Sequence, residues 1–162
     1  MRKQWTPQGV MFERAIDMTD IALGLNPENK LSAILWHQGE GEAIDGKGKS
    51  YGELYAFYLN SLTKLVSDFK SKYKKDVPFL AGGHCDDWIV HYPTESVAIT
   101  DATKDVMANF DCAGYVETAG LGSNERIIRG KYPDEVHFNR PSLYELGERY
   151  FTVYREIRKD KK

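Results

Sequence analysis

Leu31-Ser32-Ala33-Ile34-Leu35-Trp36-His37-Gln38-Gly39-Glu40 passes from an apolar run into a polar turn without a break. The run is too short for an independent helix and is bounded by Asn26-Pro27 before it and Gly39 after it. It therefore reads as a buried strand over residues 31–36. Such a strand delivers the side chains that follow it to its own C-terminal end, which is where open α/β sheets bind ligands.

Working outward, Thr6-Pro7 reads as an N-cap with Pro at the first helical position. Met11, Ala15, Met18, Ala22 and Leu25 then keep helical spacing up to Asn26-Pro27. Residues 38–49 hold four glycines and show no periodicity, so a loop is expected there. Ser50 and Glu53 form a capping box, behind which Leu54, Tyr58, Leu62, Leu65, Phe69 and Tyr73 line one helix face. Residues 77–83 read as the next strand and residues 84–93 as a loop. Thr94 caps a helix carrying Val97, Val106, Met107 and Phe110. Residues 113–119 form a third strand, residues 120–140 are irregular, and Pro141 opens a last helix with Leu143, Leu146, Tyr150, Tyr154 and Ile157 on its apolar face.

Strands alternating with long helices predict an α/β protein with a parallel sheet covered on both faces. The chain of 162 residues is the size of one domain. Its net charge of −2 offers no basic surface for nucleic acid or anionic membrane. No apolar run reaches the ~20 residues of a membrane span, and Met1 leads into no signal peptide. The compartment stays unknown. Cys85 follows one strand and Cys112 precedes the next, which puts them at opposite edges of a parallel sheet, roughly 15–20 Å apart. A disulfide needs Cα atoms within about 7 Å, so two free thiols are expected.

Asp134 and His137 stand three residues apart. A carboxylate that holds one imidazole nitrogen leaves the other as a general base. Spacing alone leaves open a surface Asp capping a turn, with His137 packed beside Phe138. Gln38 at a strand end can donate to a developing oxyanion, or simply belong to a polar turn with Gly39. Trp36 and His37 are divided in the same way between core and site. In the segment His84-Cys85-Asp86-Asp87-Trp88, with His91, the residue types suit a metal but the spacing matches no zinc pattern. A pocket-lining loop, with Trp88 and Tyr92 stacking on a sugar or simply packing within the loop, is the favoured reading.

Trp36-His37-Gln38-Gly39-Glu40, followed by Asp134-Glu135-Val136-His137-Phe138 and Leu146-Gly147-Glu148-Arg149-Tyr150, resembles the SGNH-hydrolase superfamily. Within it, the motifs are similar to the sialate O-acetylesterase and acetylxylan esterase branch, carbohydrate esterase family six. The resemblance implies a three-layer α/β/α fold and deacetylation of sugars such as sialic acid or xylan, with no metal or other cofactor. His137 is then the catalytic base, Asp134 its orienting acid and Gln38 the oxyanion donor. Glu40 then lies next to the site, touching the substrate or supporting a residue that does, and Gly39, His37 and Trp88 are further candidate substrate contacts.

The branch's nucleophilic serine lies in a motif upstream of these segments, and that motif is absent here. Ser32, Ser50 and Ser123 occupy no matching position, and Cys85 is a stray candidate. The resemblance thus makes residues 1–162 the C-terminal two-thirds of an SGNH domain lacking its first strands. The apolar strand 31–36 would then be an exposed edge, open to the missing segment or to self-association. The alternative is an inactive remnant that binds carbohydrate or a protein partner.

Overall fold

The computed structural model describes residue 5, residues 9–129 and residues 132–159. The expected cap at Thr6-Pro7 lies outside the described residues.

Three strands form a parallel sheet in the order β1 (Ile34–Trp36), β2 (Phe79–Gly82), β3 (Ala113–Val116). Ile34 pairs with Phe79, and Phe79 with Ala113. Strand side chains alternate between faces, and β2 shows it. Phe79 and Ala81 enter a core with Tyr58, Leu62 and Val66 of α3 (Tyr51–Lys72) and Ile99 and Val106 of α5 (Pro93–Ala108). Leu80 enters the opposite core, with Leu146 and Tyr150 of α6 (Arg140–Lys159). The result is the expected three-layer α/β/α arrangement.

The Ser50–Glu53 capping box is present at the start of α3, and Leu54, Tyr58, Leu62, Leu65 and Phe69 are buried along it. The helix α1 (Val10–Gly24) is rotated from expectation. Met18 and Leu25 are 66% and 79% exposed, whereas Phe12 is buried. Apolar residues lie on more than one side of this helix. The Phe12 ring, 4.9 Å from that of Phe69, selects the inward side.

The first strand is shorter than the apolar run. Residues 31–33 form no ladder, and β1 lies at one edge of the sheet with Leu35 60% exposed. Thr94 does not cap α5; Pro93 is its first residue and Tyr92 precedes it without a side-chain cap. Asn139 caps α6 instead, its Oδ1 accepting from the Ser142 N–H at 3.0 Å.

Three expected loops contain regular structure. Residues 38–49 include α2 (Glu40–Asp45), which places Glu40 and Glu42 in its first turn, where the helix dipole favours acids. Residues 84–93 include α4 (Asp86–His91), with acids at its start and His91 at its end. Residues 120–140 hold an antiparallel hairpin of β4 (Ser123–Arg129) and β5 (Tyr132–Phe138). Both cysteines are free, with Cys85 buried. No described helix is long and apolar enough to cross a membrane.

Candidate active site

The Asp134–His137 pair sits in β5, not in a loop before the last helix. Asn124 pairs with Asp134 and Ser123 with Phe138, so residues 135–137 bulge out of the ladder. Bulges re-aim side chains, and here the bulge brings together two residues that a regular strand would point to opposite faces. His137 Nδ1 lies 2.7 Å from Asp134 Oδ1, which also accepts from the His137 backbone N–H at 3.3 Å. The Asp134 side chain is 3% exposed and that of His137 is 64% exposed. The acid fixes the ring from beneath, and Nε2 is left to do chemistry.

The bulge is held from two sides. The Cys85 thiol donates to the Glu135 carbonyl at 3.1 Å. Burial pushes this thiol up to about 11, so at neutral pH it is a protonated donor rather than a thiolate nucleophile. His91 Nε2 meets Glu135 Oε2 at 2.6 Å. Cys85 and His91 therefore serve the bulge, while His84 packs elsewhere. Among the described residues no group of three or more His, Cys, Asp or Glu is arranged to hold a metal ion.

The turn after β1 meets the hairpin through His37. Its ring packs edge-on against Phe138 at 5.2 Å. Tyr150 Oη donates to the Trp36 carbonyl at 2.9 Å and lies 3.1 Å from His37 Nδ1. With the hydroxyl proton committed to Trp36, His37 Nδ1 is the donor in the second bond. Burial lowers the pKa of His37 against an opposing pull from Glu40, which keeps the ring neutral near pH 7.

Between the turn and the hairpin opens a cavity of about 760 Å³, whose polar lining is His37, Glu40, Asn124 and His137. Leu35, Val136 and Phe138 join α6 residues in its apolar wall. Of the expected site residues, His37, Glu40 and His137 thus border one space, with Asp134 behind. Gln38 lies outside the lining. Its Nε2 donates to the Glu42 carboxylate, and its backbone carbonyl accepts from Tyr58 Oη at 2.7 Å. Gly39 is buried with φ +156°; a Cβ there would lie 2.7 Å from His84 Nε2. Trp88 is 6% exposed and tilted against Tyr92 at 4.5 Å, so it is a core residue and not a cavity wall. Asn124 and Tyr150 also line the cavity. The sequence signals neither role, because residues 120–140 show no strand alternation and helical spacing gives Tyr150, although it ends the Leu146–Tyr150 motif, only a core face.

A parallel sheet between helix layers, with an acid-oriented histidine beside the carboxyl ends of its strands, defines an α/β domain of the SGNH-hydrolase type. Residues 1–156 match the family model described as carbohydrate esterase, sialic acid-specific acetylesterase. The chain belongs to that family. The fold is similar to the crystal structure of NanS, with a TM-score of 0.73 at 16% identity over 96% of this chain. The overlay covers 55% of the NanS chain, so this chain spans about half of that length. No curated protein matches the chain.

Proposed function

We propose that the chain carries the base-and-acid side of a serine esterase site that removes acetyl groups from a carbohydrate. The family description makes sialic acid the first choice of sugar, with xylan the second by the wider resemblance. One observation carries the reading: Asp134 holds His137 at 2.7 Å on the wall of a cavity at the binding edge of the sheet.

In this scheme a serine hydroxyl attacks the acetyl carbonyl and gives its proton to His137 Nε2. The carbonyl becomes an oxyanion, for which Gln38 is the proposed donor; because its side chain lies outside the cavity lining, it must turn to bring in the amide hydrogen not given to Glu42. Collapse breaks the bond to the sugar oxygen, which takes the proton from His137. Water, deprotonated by the same nitrogen, then releases acetate and restores the serine. His37 and Glu40, which line the cavity, border the substrate. No step calls on a cofactor.

Among the described residues no serine, threonine or cysteine lines the cavity. The scheme therefore takes its serine from polypeptide outside these 162 residues. The open edge of β1 is the place where that polypeptide docks, with a second copy of the chain as the competing occupant. Residues 1–162 would then be the C-terminal two-thirds of an SGNH domain.

The absence of a serine, threonine or cysteine from the described cavity lining supports a second reading, in which the chain binds acetylated carbohydrate or a protein without hydrolysing anything. The test is acetate release from O-acetylated sialic acid by the chain alone. Binding without release supports an external serine or the second reading. Release abolished by His137→Ala would put the nucleophile inside the chain and overturn both.

A further inference from the structure

We propose that Asn124 is a substrate-binding residue of this site, one that grips the sugar beside the ester rather than taking part in proton transfer. The inference rests on the esterase reading above and adds a contact that the motifs do not contain.

The hairpin is built around this residue. Asn124 pairs with Asp134, and the ladder shifts register on both sides of that pair. Two irregularities flanking one residue fix its direction independently of the strand's ordinary alternation. The half-buried side chain borders the same cavity as His137.

The residue before it is clamped. The Ser123 N–H donates to Asp87 Oδ2 at 2.7 Å, and the Ser123 carbonyl accepts from Asn139 Nδ2 at 3.1 Å. Asn139 Oδ1 is in turn committed to the start of α6. Asp87 is in the first turn of α4, so two helices hold the peptide that presents Asn124. Asn139 spends both ends of its amide on structure, whereas Asn124 brings two donor hydrogens and an acceptor to a cavity wall. Sugar hydroxyls and acetyl carbonyls need donors and acceptors of this kind, held on a rigid support.

The test is a titration of the intact chain with O-acetylated sialic acid, followed by amide NMR in the wild type, Asn124→Ala and Asn124→Asp. The expected result is a Kd raised about tenfold in Asn124→Ala. A larger rise is expected in Asn124→Asp, because the substitution adds a negative charge to a cavity that must accept an anionic sugar. The proton between His137 and Asp134 should keep its chemical shift in all three proteins, which separates lost contact from lost fold. Binding by the wild type with a Kd unchanged within twofold in Asn124→Ala overturns the role of Asn124 alone. Absence of binding by the wild type overturns this inference together with the esterase reading.

Discussion

Asp134 and His137 touch at 2.7 Å, yet the acid side chain is 3% exposed and the imidazole 64%. The charge-holding partner is out of water and the working partner is in it. That division is what a base needs: an orientation fixed from below and a second nitrogen open to a substrate.

Asp134→Asn is expected to cut turnover by about 10²–10⁴ with KM little changed, because an amide cannot hold the imidazole in the same tautomer. The measurement is steady-state acetate release by the catalytically complete protein. A loss of less than twofold would mean that Asp134 only shapes the hairpin.

Stability should fall on the acid side of neutrality. Burial, the largest cause for both residues, lowers the pKa of His37 and His84. In the unfolded chain both titrate near ~6.5. As the pH drops through that value the unfolded state takes up protons first, so stability present above it is lost as the pH falls toward the folded pKa values. Urea midpoints measured from pH 8 to pH 5 should decline below the unfolded value, less steeply in His84→Gln. Equal slopes in the two proteins would remove His84 from the linkage.

The two thiols should react unequally. Cys85 is 1% exposed and burial pushes it up to about 11. Cys112 is half-buried just before β3. Alkylation of the folded protein at pH 8, read by mass spectrometry, should modify Cys112 first and Cys85 only on unfolding. Early labelling of Cys85 would show that the bulge at Glu135 opens in the native state.

Lys70 should be a stability residue far from the site. The three hydrogens of its buried ammonium are shared among the carbonyls of Lys75, Val77, Asp111 and Cys112 at 2.9–3.2 Å, tying the segments that lead into β2 and β3. Lys70→Met leaves those carbonyls short of a donor and should cost about 2–3 kcal/mol in urea unfolding. A change below ~0.5 kcal/mol would show that water replaces the ammonium without loss.

The layers were legible because long elements carry strong periodicity. Leu54 to Phe69 marks one face of α3 unambiguously, and the Ser50–Glu53 pair fixes its start. The second strand reads well because it is buried on both faces. The hairpin was not legible. Its inward positions in β5 are Asp134, Val136 and Phe138, and a buried acid hides the alternation that marks a strand. The short helices α2 and α4 have one turn or so of pattern each, too little to separate from loop. In α1, apolar residues on several sides left the choice of buried face to tertiary contact with Phe69. Within the site, the chemistry-bearing motifs stood out by residue type. The tether of Gln38 to Glu42 and the burial of Trp88 depended on packing across distant elements.

The role of His137 turns on one comparison: acetate release from O-acetylated sialic acid by the chain joined to a serine-bearing upstream segment, with His137 intact and with His137→Ala. A loss of at least ~10³ in turnover with binding retained is the expected result. Turnover unchanged in His137→Ala would contradict the assignment of His137 as the base.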